Sequence, residues 1–197
     1  MSNEPFFWSA EKRKDVFSGI NIPATMLVKV SSGVQASFDV VHFLAKIAKE
    51  RGRHPAVRNL ALNIVKDIPD FKFLDEARAI GQWVQKNIRY VRDIAGAETI
   101  HDPVTLIDQY SRNGIAQADC DDMALLVASL LISIGVRPYY KIVKYSPYGG
   151  FQHIYTVVKE RNKGEPDAKE LVIDAIVKDK PIGFEVRHLA SQLIPIL

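Results

Sequence analysis

The run Asp119-Cys120-Asp121-Asp122-Met123, continuing to Gly135, constrains the fold more than any other stretch. From Met123 to Ile134 its only polar residues are Ser129 and Ser133, one turn apart. A helix apolar on almost every side belongs in a core. Asp119 is placed to cap the helix, because its carboxylate accepts from N–H groups of the first turn. Cys120 is then the first helical residue, and Asp121 and Asp122 put negative charge at the positive end of the helix dipole. Gly135 ends the helix, since glycine takes the left-handed conformation beyond a C-terminus at low cost. Pro138 forbids continuation.

Cys120 is the only cysteine. A free cysteine ordinarily packs as a small hydrophobe. This one stands at a helix N-terminus, where the dipole and unpaired N–H groups favour a thiolate. The three neighbouring carboxylates oppose a further negative charge. The helix alone therefore does not activate the thiol, and a positive partner is needed, for which histidine is the best candidate. A single cysteine rules out an internal disulfide and fits a reducing, cytoplasmic or virion-associated setting. It also removes zinc sites built from several thiolates. A metal site at Asp119, Asp121 and Asp122 lacks the spacing and glycine of a calcium loop, so capping explains these residues better and no cofactor is expected.

The apolar fraction, 47% of 197 residues, is enough for one domain with a substantial core. A net charge of +3 is too small to argue for nucleic acid. The start, Met1-Ser2-Asn3-Glu4-Pro5, lacks the basic and apolar regions of a secretion signal. The longest apolar stretch is the Cys120 helix, too short and serine-broken for a membrane span. A soluble protein is expected.

Residues 1–35 read as an N-terminal arm. Its aromatic cluster at 6–8 and basic run at 12–14 pack on the domain or, in the sharper reading, dock a partner or membrane. A short strand fits 24–30. The remaining chain, 36–197, reads as one α+β domain. Apolar residues at helical spacing place helices over 37–49, 55–68 and 74–90, with Gly52 and Pro55 between the first two. Residues 91–118 are mostly irregular, apart from a short helix begun by Asp102-Pro103. After Gly135 the pattern turns to strands over 139–145, 153–158 and 171–177. Short loops between them predict an antiparallel meander packed against the helical layer. The tail suggests a final helix near 188–193.

Of five histidines, His153 has the most telling setting. It opens a strand after the Gly149-Gly150 loop, in the sheet expected to pack on the Cys120 helix. Asp174 lies within the apolar run 171–177, where a carboxylate is costly to bury unless paired. A neighbouring strand position pairs it with His153. Thiol, imidazole and carboxylate then form a nucleophile, a base and an orienting acid. The Gly149-Gly150 loop, with Tyr148, Phe151 and Tyr155 nearby, reads as a mobile substrate lid.

Six segments in order carry a family resemblance: residues 83–90 (Trp-Val-Gln-Lys-Asn-Ile-Arg-Tyr), Asp102-Pro103, 119–124, Gly135-Val136-Arg137, His153-Ile154-Tyr155 and Val172-Ile173-Asp174. Together they resemble the transglutaminase-like superfamily over residues 73–177. The resemblance implies a papain-like fold with the nucleophile at the start of a buried helix, and compact chains of this type occur in bacteria and their phages. By it, Cys120, His153 and Asp174 are the triad. The oxyanion hole uses the Cys120 N–H and an upstream donor, for which Gln117 is the candidate, while Tyr155 is a substrate contact. Ala118 stands where the family commonly has glycine, and Ala175 follows Asp174 in place of a turn residue. The implied activity is cysteine-dependent hydrolysis of peptide or isopeptide amides through a thioester. Transfer to an amine, or a non-enzymatic assembly role, are the alternatives. The expected partner is a peptide or protein substrate.

Overall fold

The computed structural model describes residues 25–28, 34–92, 98–160 and 169–196. The aromatic and basic clusters of the N-terminal arm lie outside these residues, as does most of the loop expected at 161–169. The helix that begins at Cys120 is the centre of the structure. It is α5 (Cys120–Ser133), after α1 (Val34–Arg51), α2 (Pro55–Val65), α3 (Phe73–Asn87) and α4 (Pro103–Asn113). The Asp119 carboxylate accepts from the Asp122 N–H at 3.0 Å, and the Asp122 carboxylate accepts from the Asp119 N–H at 3.4 Å. This reciprocal capping satisfies two backbone donors that the helix cannot. Inside the helix, Ser129 and Ser133 donate to the carbonyls of Leu125 and Leu130, so neither hydroxyl is stranded among apolar neighbours. Gly135 takes φ 86° at its end.

Two faces of α5 are covered by different partners. Leu126, Val127, Leu130 and Leu131 pack with Val57 and Ala61 of α2 and Ala77, Ile80 and Val84 of α3. Ala124, Leu125 and Ala128 pack with Val40 and Leu44 of α1 and with Ile142 and Ile154 of the sheet. Each fully buried leucine contributes roughly 1.5–3 kcal/mol, which outweighs any helix-propensity term. Gly81 permits one close approach: a Cβ there would lie 2.6 Å from Ile173 Cγ2.

The main sheet has the order β7-β6-β5-β8, all antiparallel, from β5 (Pro138–Lys144), β6 (His153–Glu160), β7 (Lys169–Ile173) and β8 (Ala190–Pro195). The expected meander is present. The helix expected near 188–193 is not: that segment forms β8, paired with β5 from Lys144↔Ala190 to Tyr139↔Pro195. The unpaired backbone edge of β5 provides hydrogen bonds that a weakly patterned tail cannot make within itself. Among the described residues, four shorter strands lie outside this sheet. β1 (Thr25–Val28) pairs antiparallel with β3 (Glu98–His101), and β2 (Ile88–Tyr90) pairs parallel with β4 (Ala116–Ala118). The third helix therefore stops at Asn87, three residues sooner than expected, because Ile88–Tyr90 is drawn into the pairing with β4. The segment 91–118 is correspondingly more ordered than its sequence suggests. Its helix α4 is capped by Asp102, whose carboxylate accepts from the Val104 N–H at 2.9 Å.

Asp102 also accepts from the buried guanidinium of Arg51, at 2.8 Å from Nε, tying the end of α1 to the start of α4. No helix among the described residues is long and apolar enough to cross a membrane.

Candidate active site

Side chains alternate along β6. Ile154 and Val158 belong to the clusters around α5, and Thr156 donates from Oγ1 to the Ala124 carbonyl at 3.1 Å. Tyr155 and Val157 belong to a third cluster with Val143 and Val172. His153 is the first residue of the strand, and its ring lies beside Tyr155, with centroids 5.5 Å apart, and parallel to Tyr145 at 6.3 Å. This aromatic setting leaves His153 only 8% exposed.

Asp174 is not in mid-strand as expected. β7 ends at Ile173, and the Asp174 Oδ1 accepts from the Ile176 N–H at 3.4 Å, a side-chain turn that ends the ladder. Oδ2 is thereby directed to His153 Nε2 at 2.9 Å, with both residues buried. A buried carboxylate needs such a partner. Among the described residues, no hydrogen bond engages the other ring nitrogen, Nδ1.

Cys120 is half-buried at the mouth of α5 and shares a narrow crevice with Ile154, Tyr155, Asp174 and Ala175. The thiol donates to Asp121 Oδ1 at 3.4 Å, not to the imidazole. Burial, followed by the carboxylates of Asp121 and Asp119, pushes its pKa well above the ordinary thiol range, and the Ile154 N–H only partly offsets this. The resting thiol is therefore neutral, and the helix N-terminus does not overcome its acidic neighbours.

Gln117 does not line this crevice. It is exposed on β4, opposite Arg89 of β2, and faces a separate cavity with His101 and Asp119. Tyr155 does line it, but its hydroxyl donates to Glu185, which Lys141 also holds at 2.6 Å. The loop between β5 and β6, expected as a lid, is organised around one side chain. The Gln152 side chain accepts from the Tyr145 and Ser146 N–H groups and donates to the Tyr148 and Gly150 carbonyls, holding the turn from within.

Sequence reasoning missed three residues here. Tyr145 is pushed up to about 12 by burial and then by the Asp174 charge. Tyr90, at the end of β2, is raised chiefly by burial. His101 is bound at the third residue of α5: its N–H donates to Asp122 Oδ1 at 2.6 Å and its Nδ1 lies 2.7 Å from Oδ2. Only Tyr90 carried a signal, as the last residue of the run 83–90.

No protein-family model matches the chain, and no curated protein does. Among solved structures it is similar to a "putative protease" of Parabacteroides distasonis, with a TM-score of 0.46 and 15% identity over 92% of this chain. The chain spans 41% of that protein's length.

Proposed function

We propose that the chain is a transglutaminase-like cysteine hydrolase of peptide or isopeptide amides, built on a papain-like arrangement of α5 and the sheet. The observation that carries this reading is the buried His153–Asp174 pair at 2.9 Å, beside the crevice into which α5 presents Cys120. Asp174 fixes the ring through Nε2 and stabilises the imidazolium once it forms. Nδ1 is left to take the thiol proton.

The neutral resting thiol makes proton transfer part of the attack. Sγ turns from Asp121 toward Nδ1, gives up its proton there, and bonds to the carbonyl carbon. The tetrahedral oxyanion is met by the Cys120 N–H, one of the unpaired donors of the helix N-terminus. Nδ1 then protonates the departing amine, leaving a thioester on Cys120. Water attacks the thioester with His153 again as base, releasing acid and thiol.

A second reading has one observation in its favour. The thiol is hydrogen-bonded to a carboxylate and not to His153, as suits a non-enzymatic interaction protein of the same fold. A peptide library incubated with wild type, Cys120→Ala and His153→Ala and read by mass spectrometry separates the two. Free-acid products that need both residues support the hydrolase. A library left intact by wild type overturns it in favour of the interaction protein. With excess primary amine added, amine adducts as the dominant product make it an acyltransferase instead.

A further inference from the structure

A second cavity, of about 430 Å³, opens beside the N-cap of α5. Part of its wall comes from α4 and β4. Gln109 and Asn113 stand one turn apart on α4, and Gln117 stands on β4, which pairs with β2. His101 closes one side, fixed by its two contacts with Asp122. Asp119 forms the end nearest the thiol, one residue from Cys120.

One functional group recurs in the lining. Gln109, Asn113 and Gln117 each carry a carboxamide, with donors and an acceptor on the same planar group. Among the described residues no hydrogen bond engages any of the three side chains. Among the described residues, no lysine or arginine lines the cavity. The Asp119 carboxylate caps α5 through the Asp122 N–H. Exposed Ile115 adds apolar surface for a short side chain. Three carboxamides around a cleft whose carboxylate, Asp119, is held in the cap of α5 match the alternating N–H and C=O groups of an extended backbone. The volume falls within the range of ordinary ligand pockets, roughly 300–1,000 Å³.

We infer that this cavity is a subsite for an uncharged extended polypeptide segment, gripped through its peptide groups by Gln109, Asn113 and Gln117, on one side of a scissile bond held at Cys120. The inference rests on the proposed hydrolase for the identity of the reacting group, but the subsite binds without reaction. It gives Gln117 a role in holding substrate in place of the oxyanion role expected from sequence. Recognition through the backbone tolerates a change of small side chain and fails when the peptide nitrogens are blocked.

The test uses the full chain carrying Cys120→Ala, with the side-chain amide resonances of Gln109, Asn113 and Gln117 followed by NMR. The probes are acetyl-tetraalanine amide, the same peptide with its two central nitrogens methylated, and acetyl-tetraleucine amide made soluble by a C-terminal polyethylene glycol. The expected result is that the three amide pairs shift with the alanine peptide. Methylation should weaken binding roughly 5- to 10-fold, the loss of one or two hydrogen bonds, while the leucine peptide stays within about threefold of alanine. In Asn113→Leu, an exposed position, binding should weaken roughly threefold with unfolding unchanged. Shifts confined to other residues, no shift at 10 millimolar peptide (roughly the weakest useful affinity), or equal binding of the methylated peptide overturns the subsite. Because the readout is binding to a protein without the thiol, a wild type that binds here but cleaves nothing counts against the hydrolase alone.

Discussion

Replacing Asp121 by asparagine removes the carboxylate that accepts the Cys120 thiol hydrogen at 3.4 Å. Size is retained, and the charge next to the sulfur is lost. Burial is the larger cause of the raised thiol pKa and persists in the variant, but the Asp121 charge follows it in order. With the pKa well above 9.0, the wild-type thiolate fraction at pH 7 is below about one per cent. A charge at this distance shifts a neighbour by roughly 1–3 pKa units. Each unit of lowering raises the thiolate fraction about tenfold, while the less basic thiolate loses nucleophilicity, leaving a net gain of about threefold per unit. Asp121→Asn should therefore be alkylated by iodoacetamide roughly 3- to 30-fold faster than wild type at pH 7. The rate is read by intact mass under excess reagent, with thermal unfolding as a control for the fold. A rate within twofold of wild type, or slower, in a folded variant refutes the assignment of the carboxylate as the restraint on the thiol.

Asp174→Asn removes the charge opposite His153 Nε2 and should leave cleavage weaker than wild type but above Cys120→Ala, measured as initial rates on one peptide; full activity would take Asp174 out of the site. Gln152→Ala deletes the side chain that spans the loop before His153, so the Tyr145 and Ser146 amides should exchange faster with solvent and stability should fall by about 1 kcal/mol in urea unfolding. Gly81→Ala should cost about 1–3 kcal/mol by the same measurement, although alanine favours helix, because its Cβ meets Ile173. Phe71, 80% exposed with φ 65°, is a bulky residue in left-handed backbone, and Phe71→Gly should raise stability by about 0.5–1 kcal/mol.

The parts of the fold legible in the sequence are those whose signals are local. The bounds of α5 follow from Asp119, Gly135 and an apolar run interrupted by Ser129 and Ser133 alone, and β5 to β7 follow from β-branched residues between turn residues. The three-residue strands β2 and β4 have no period to read, and they exist because each supplies the other's hydrogen bonds. β8 is legible only once β5 is known to have an open edge. In the candidate site, the pairing of His153 with Asp174 follows from the cost of burying a carboxylate. The end of β7 at Ile173 does not, because apolar residues continue past it to Val177 while the Asp174 side chain turns the backbone. Gln117 lies close to Cys120 in sequence, but a side chain's face depends on which neighbour its strand pairs with. The His101–Asp122 contact brings together residues whose local patterns say nothing of each other.

The pair between Arg51 and Asp102 joins positions that no local pattern links, and it sets the terms on which the two can vary. Arg51 is 1% exposed. Replacing either residue alone leaves a buried charge without this partner, a loss of about 3–5 kcal/mol, comparable with the whole stability of many domains. Replacing both with apolar residues of similar bulk removes the penalty of separating this pair, while forfeiting the cap of α4, about 1 kcal/mol. The single steps are steep and the double step is shallow. Descendants of this chain should therefore retain both residues or exchange both together, so that the state of one position foretells the other even where the surrounding sequence has diverged.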